Sequence, residues 1–516
     1  MRSLLPPRLV RLVGHVVAMP VVLPVVLLVA VMSFGACMSD DEYSLSAADA
    51  LRFPSDTIQM DTLVSGQTTP TRRFVIYNPT SKAIRLNEVR LERGTASPFR
   101  VNVDGVSIED GSVGPEAHIE VAAGDSLHVF VFADVPETES DDPVEHTDRL
   151  LLTTEGGLQQ GVTLSVWGQD VVRLNGAVGV TGDTLLDGRR PYLIADSLVV
   201  PSDRTLTIAP GVRLWFSPKA GMTIRGRLEA RGTAAQPIVM RGDRQGNMFE
   251  GQPYDRIPAQ WGGIVITEES YGNHLDHCDI HSGTYGIICD SADVTRVKLR
   301  MENSILHNMS QSALTAIASR TEVGNCQISN AGEYCVMLVG GHHSFVHCTI
   351  ANFYRFGRSG DYAVYYTNEM NGHIQPLEQA RFVNTIITGD RSDEIMGVPT
   401  ALDVDVPFGY RFDHCLLATP PIEDDDNVTE CLWDNKDDEH EVWAADNFFP
   451  AFDLPHLLFT FTLDKRSQAV GRADAEVTRA TYPLDLQGNS RLTDDGPDIG
   501  CYERQPNEQD QTDGEE

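Results

Sequence analysis

Acidic side chains gather where the chain breaks its own rhythm. The stretch TGDRSDE supplies Asp390, Arg391, Asp393 and Glu394, and LDVDV supplies Asp403 and Asp405. Asp390, Asp393, Asp403 and Asp405 are the oxygen donors a Ca2+ ion takes, provided their loops fold onto one face. Just upstream, YRFGRSGDYAVYY supplies Tyr354, Arg355, Arg358 and Asp361. With Asp390 and Arg391 these form a candidate glycan-binding set, in which charged groups meet polar substituents and a tyrosine ring meets a sugar face. Tyr354, Phe356, Tyr362, Tyr365 and Tyr366 make this the densest aromatic stretch. However, Tyr362, Val364 and Tyr366 alternate with Ala363 and Tyr365 as an ordinary strand, which places some rings in a core. Solvated loop charge is the competing reading for the acids.

Other constellations are weaker. His342, His343 and His347 in GGHHSFVHC invite a zinc reading. Residues four apart on an extended strand are separated by about 13 Å, too far to share an ion with bonds of about 2 Å. They are expected to be a turn followed by outward polar residues. Asn427-Val428-Thr429 matches a glycosylation sequon. Phosphate-binding loops, nucleophile elbows and paired zinc motifs are missing from the sequence.

The elements that must position these residues belong to a 516-residue chain with 41% hydrophobic and 22% charged residues. That composition supports a large core, and 43 glycines with 28 prolines point to many turns. A formal charge of −34 argues against a nucleic-acid partner, since phosphate binding needs clustered Lys and Arg.

Residues 1–36 read as a signal peptide: Arg2, Arg8 and Arg11 precede an apolar run that ends in small residues. Pro20, Pro24 and His15 weaken the alternative, an uncleaved membrane span. Gly35-Ala36-Cys37 resembles a bacterial lipobox, which implies lipidation at Cys37; Phe34 departs from the usual Leu. Cleavage there leaves 37 basic against 74 acidic residues. Asp40, Asp41 and Glu42 resemble the surface-export signal of some outer-membrane lipoproteins. Residues 37–54 then form an acidic tether.

Between 55 and 170, alternating apolar residues separated by Asn-Pro, Asp-Gly and Gly-Gly turns predict an antiparallel sandwich. Leu127, Val129 and Val131 point one way there, with His128, Phe130 and Phe132 opposite. The stretch from Phe74 to Pro79 resembles one found in immunoglobulin-like domains of secreted bacterial proteins. Residues 171–195 are linker and first capping strands.

The region 196–503 is periodic. Residues 303, 325 and 347 lie 22 apart, and NSILHNM, NCQISNA and HCTIANF share the opening [Asn/His]-[Cys/Ser/Thr]-x-[Ile/Leu], as do HCDI at 277, NTII at 384 and HCLL at 414. A period this short signals a solenoid of about a dozen coils. Alternation turns Cys278, Ser304, Cys326, Cys348, Thr385 and Cys415 inward. Cysteines in this column are expected to be buried free thiols, because parallel Cβ vectors do not give the roughly 90° torsion of a disulfide. Asn308, Asn330 and Asn352 are expected to stack as an amide ladder at one corner. The outward position offers Asp279, Ile305, Gln327, Thr349, Ile386 and Leu416. One carboxylate in that row is not the strip a lyase or glycosidase would need. After Phe412 the rhythm loosens into an acidic loop and a capping segment, and residues 504–516 are a polar, acidic tail.

The openings APGVRLWF and GRLEARGT, and the ending Pro497-Asp498-Ile499-Gly500 with Tyr502-Glu503, resemble bacterial surface lipoproteins built on a right-handed parallel β-helix; Cys501 replaces the family's usual Ala. The resemblance covers nearly the whole mature chain. It implies an all-β chain, an immunoglobulin-like β-sandwich followed by a right-handed parallel β-helix, with the sandwich covering the first coil. It also implies a monomer held at the outer membrane by its lipid and facing outward. Three functions stay open: non-catalytic binding of a glycan or surface partner, polysaccharide cleavage by a lyase or hydrolase, and a structural envelope role. Ca2+ is the one cofactor considered.

Overall fold

The computed structural model describes residues 43–174, 178–179, 182–249, 251–356, 361–434, 448, 452–453, 456–493 and 496–505. The signal peptide, Cys37, Asp40, Asp41, Glu42, Arg358 and residues 506–516 lie outside the described residues. The chain divides into two compact units: residues up to 59 with 70–133 and 147–165, and residues 60–69, 134–146 and 166 onward.

The first unit is antiparallel. Strand Ser126–Ala133 pairs with Arg72–Tyr77 on one side and Phe99–Val103 on the other. Leu127, Val129 and Val131 are fully buried and Phe130 is exposed, as the alternation predicts. Strand Ile84–Leu91 pairs with Val144–Thr154. The Asn-Pro turn has a physical role here. Buried Asn78 donates through Nδ2 to the carbonyls of Lys82, Val121 and Ala122, so its amide satisfies a bend that backbone pairing leaves open.

The second unit is a parallel β-helix. Its three parallel sheets have eleven, nine and ten strands among the described residues. Strands of two to seven residues alternate between sheets, and strands pair with their counterparts one coil later, in the eleven-stranded sheet as Asp279 with Ile305, Ile305 with Gln327, Gln327 with Thr349 and Thr349 with Ile386. Inward residues form one continuous core, including a ring stack of Phe345, Phe382 and Phe412 at centroid spacings of 4.9 and 5.0 Å.

The repeat's first two residues make its sharpest corner. His277, Asn303, Asn325, His347, Asn384 and His414 all adopt φ between 48° and 53°. Left-handed backbone disfavours most side chains but is tolerated by Asn and His, so the repeated [Asn/His] is a backbone requirement. The next residue pins the bend. Ser304 Oγ and Thr385 Oγ1 donate to the carbonyls two residues back at 2.6 and 2.9 Å, and the thiols of Cys278, Cys326, Cys348 and Cys415 make the same contact. The eight described cysteines are free.

Two expectations need correction. The amide ladder forms on the repeat's first residue: Asn325 Nδ2 donates to Asn303 Oδ1, and Asn303 Nδ2 to Asp276 Oδ1, each at 2.8 Å. Asn330 and Asn352 instead accept from backbone N–H groups of the neighbouring coil, at Phe353 and Ala331. The histidines also differ. His343 and His347 are fully buried, because a polar side chain can face the interior when partners await it. His343 Nε2 donates to Gly340 O, and its Nδ1 accepts from Thr321 Oγ1. Burial pushes the His343 imidazole down to about 4, so it is neutral.

The C-terminal segment folds back along the outer face of the eleven-stranded sheet. Phe448, Phe461, Leu463, Leu486, Ile499, Cys501 and Tyr502 make a second core with Ala351, Phe353, Ile386 and Leu416. Gln327, Thr349, Ile386 and Leu416 point out of the coil yet are buried beneath this cover. Cys501 N donates to Thr349 Oγ1 and Tyr502 Oη to Gln327 Oε1. Arg491, fully buried, reaches Asn325 Oδ1, Gly500 O and Glu503. The ending PDIGCYE is therefore the lateral seam of the cover.

Candidate functional site

The cover ends beside Asp279, the first member of that outward row. Asp279 and His281 project from strand Cys278–His281, and His307, the partner of His281 one coil on, projects from Ile305–Met309. Alternation alone sends residues 279 and 281 to the same outer face. Stacking in register then brings the two imidazoles to a centroid spacing of 4.8 Å.

Asp279 Oδ1 accepts from both rings, at 2.8 Å from His281 Nδ1 and 3.2 Å from His307 Nε2. The second nitrogen of His281 lies 2.8 Å from Asp255 Oδ1, and Arg241 Nη1 lies 2.6 Å from the same oxygen. Asp255 comes from the turn Tyr254–Arg256, in an insertion between two coil strands. That insertion is fastened to the coil by its carbonyls, with Ser282 Oγ donating to Asp255 O and Asn308 Nδ2 to Arg256 O. From beneath, buried Trp261 donates through Nε1 to His281 O at 2.8 Å and stacks on Phe216 at 4.3 Å.

Charge follows from these contacts. His281 has both nitrogens on carboxylates, which only accept, so it is an imidazolium. Burial opposes that charge, but Asp279 and Asp255 override it and raise the imidazole to about 9. Burial likewise opposes ionisation of Asp279, yet the His281 charge and the two ring hydrogen bonds hold its carboxyl far below the usual range. Asp255 is also held low, against its burial, by the His281 hydrogen bond and charge with Arg241.

Two clefts flank the cluster. One of about 280 Å3 is lined by Asp279, His277, Asn303, Ile305, Gln487 and Tyr502. The other, of about 230 Å3, is lined among others by His307, Asn308, Gln327, Ser329, Gln487 and Tyr502. Ile305, Gln487 and Tyr502 border both. Asp279, about a third exposed, and His307, about a quarter exposed, are the parts of the cluster that solvent reaches.

The residues singled out in the sequence lie elsewhere, and the structure does not bring all of them together. Tyr354 is buried, packed on Phe356 at 5.6 Å, so it offers no sugar-stacking face. Arg355 and Asp390 form a bidentate ion pair, one arm at 2.9 Å. Arg391 covers the Tyr362 ring at 4.7 Å. Asp361 donates its N–H to Glu333 O and accepts from Asn352 Nδ2 through its carbonyl. Asp393 Oδ1 accepts from Thr419 Oγ1, while Asp403 and Asp405 are exposed. The four aspartates proposed for Ca2+ thus have separate roles, because their loops serve different corners. Glu394 is buried and accepts from the backbone of Ala363 and Arg391, and burial pushes its carboxyl up to about 8. Among the described residues, Asp279, His281 and His307 are the one group of three or more acidic, His or Cys side chains whose donor atoms converge, all within 4.8 Å.

For chemistry, the repeat was read at its outward third residue alone. The fifth reads His281, His307, Ser329 and Ala351 down the stack, and that pair of histidines beside Asp279 was the visible signal. Asp255 and Arg241 carry no repeat signal.

No protein-family model matches the chain, and no curated protein does. Among solved structures, the catalytic unit of a thermostable GH87 α-1,3-glucanase from Streptomyces thermodiastaticus strain HF3-3 aligns over 72% of this chain and 76% of that one, with 11% identity and a TM-score of 0.26. A PapD-like domain of human CEP192 aligns over 26% of this chain and 93% of its own, with 10% identity and a TM-score of 0.16. The Vibrio cholerae VesB protease aligns over 23% of this chain, which spans 31% of VesB, with 14% identity and a TM-score of 0.17. Likenesses this loose carry no functional argument, so function must be argued from the site.

Proposed function

We propose that this chain is a lipid-anchored, outward-facing surface protein whose β-helix binds a glycan without cleaving it. The observation that carries this reading is the pair of clefts either side of Tyr502. Their walls combine amides (Asn303, Asn308, Gln327, Gln487), a hydroxyl (Ser329) and ionised Asp279 with the apolar edges of Ile305 and Tyr502. Polar groups fixed on rigid strands beside apolar surface suit a polyhydroxylated ring, whose hydroxyls need partners and whose C–H face needs cover. Each cleft is smaller than the roughly 300–1,000 Å3 of a drug-sized site, which fits a short segment of a longer chain.

Glycan cleavage is the second reading, and one observation speaks against its hydrolytic form. A glycosidase needs one carboxyl kept protonated as general acid. Here Asp279 and Asp255 are both held ionised by His281. Beta-elimination by a lyase would instead draw on His307 as base. The test is retention of the full chain on immobilised neutral and acidic polysaccharides, scored with new reducing ends and unsaturated products. Retention without products, weakened by Gln487→Ala, is the expected result. Products would replace binding with catalysis, and silence on every polysaccharide would remove the glycan reading.

A further inference from the structure

We infer that Asp279, His281 and His307 form a divalent transition-metal site, with zinc as the ion its donors and geometry suit, and that Asp255 is the residue that orients it. Three observations carry this, none dependent on the glycan reading.

The first is donor geometry. Zinc bonds to imidazole nitrogen and carboxylate oxygen at about 2.0–2.1 Å, so tetrahedral ligand atoms sit about 3.3 Å apart. Asp279 Oδ1 is 2.8 Å from His281 Nδ1 and 3.2 Å from His307 Nε2. All three donor atoms lie within 4.8 Å of one another, so an ion would enter by displacing the ring protons that now bridge to Asp279 and by drawing the two imidazoles in toward it. The donors sit on two adjacent strands of one sheet, and short strands of a solenoid hold such spacings rigidly.

The second is the outer shell. Imidazoles that bind metals nearly always donate their other nitrogen to a carboxylate or carbonyl, which fixes ring and tautomer. His281 is built this way: Nδ1 faces the cluster while Nε2 donates to Asp255 at 2.8 Å, and Arg241 anchors Asp255 from behind at 2.6 Å. A surface salt bridge has no need of this relay. His281 is almost wholly buried, with Trp261 holding its carbonyl from below.

The third is access. Asp279 borders one cleft and His307 the other, so a three-ligand ion would keep an open position toward solvent. Two histidines and one carboxylate with an open position match a site that binds or polarises an oxygen ligand rather than a closed structural site. Nitrogen donors favour zinc over Ca2+ or Mg2+, which take oxygen.

The experiment is equilibrium dialysis of the untagged full chain against ZnCl2, with metal counted by mass spectrometry, and a parallel titration with Co2+ read by its visible absorption. One equivalent of zinc with a dissociation constant below 10 μM (an order-of-magnitude threshold for a three-ligand site) and cobalt bands of four- or five-coordination are expected. His307→Ala and Asp279→Asn should each weaken zinc at least 100-fold. Asp255→Asn keeps all three ligands and should cost 10- to 100-fold, the usual effect of losing an outer-shell carboxylate. Since Asp279→Asn could disturb the coil, each variant's far-ultraviolet circular dichroism and metal-free melting temperature are compared with the parent. Native-like variants that bind zinc as tightly as the parent would overturn the inference, as would less than half an equivalent on the parent.

Discussion

Arg491 offers the most direct measure of how the C-terminal cover is held. Its side chain is fully buried, and so is its partner Glu503, at exposures of 0% and 2%. The guanidinium donates to Asn325 Oδ1 at 2.8 Å, Gly500 O at 3.0 Å, Asp498 O at 3.4 Å and Glu503 Oε2 at 3.4 Å. Arg491→Met keeps much of the volume but removes the positive charge. The Glu503 carboxylate then stays buried, still accepting from the Asp498 N–H but without the guanidinium's charge beside it. Removing one member of a buried pair costs about 3–5 kcal/mol, whereas removing both costs far less. Arg491→Met/Glu503→Gln should therefore recover at least half of the loss. Because the cover is one part of a long solenoid, the readout is local: hydrogen exchange of residues 484–503, with strand Thr205–Ile208 as internal reference. Opening of the cover should become about 100-fold or more frequent in the single variant, with the reference unchanged. An increase below about fivefold, equivalent to roughly 1 kcal/mol, would refute the account of Arg491 as the cover's electrostatic anchor. A double variant no better than the single would refute the part assigned to Glu503.

Two further predictions follow from buried titratable groups. His343 is neutral in the fold at about 4, below the ordinary 6.5, so the unfolded chain takes up its proton first as pH falls. Its contribution is present above pH 6.5 and lost between about 6.5 and 4, at a cost of about 3 kcal/mol; His343→Asn should flatten the denaturation-midpoint profile over that window, and an unchanged profile would contradict it. Of the eight described cysteines, Cys431 alone is not fully buried. A thiol reagent should label it first in the native protein and reach all eight in denaturant without reductant, with Cys37 as a ninth only where it carries no lipid. Fewer than eight would reveal a disulfide and contradict the free-thiol column.

Much of the architecture was legible because a coil states its rules in every repeat. Positions 303, 325 and 347 gave the period, and alternation gave the inward column from Cys278 to Cys415. The same lines carried a signal that was missed. Six repeats begin with Asn or His because that residue bends left-handed, with φ near 50°, and this is a property of backbone rather than of ladders. The fate of the outward row was not legible. Nothing periodic in residues 457–503 says that they return along the coils and bury Gln327, Thr349, Ile386 and Leu416. In the candidate site, the His281–His307 pair was present in the repeat alignment, whereas Asp255 and Arg241 arrive through an insertion whose path only the fold reveals.

The covered row explains why chemistry sits at its first position. From Gln327 to Leu416 the outward residue is apolar or hydrogen-bonded to the cover, as burial beneath it demands. Asp279 could not stand in that row one coil later without a buried partner for its charge. Its partners are supplied where the cover stops, by His281 on its own strand and His307 on the next. Asp255 adds a wall from the insertion on one side, and Tyr502 and Gln487 add one from the cover on the other. A solenoid offers the same pleated surface at every coil, so only a departure from the repeat can make one place different. Here two departures, an insertion and the end of the cover, meet at Asp279 and His281. Local rules broken with matching compensation are the mark of a functional site rather than of drift, and that coincidence makes Asp279, His281 and His307 the place to test first.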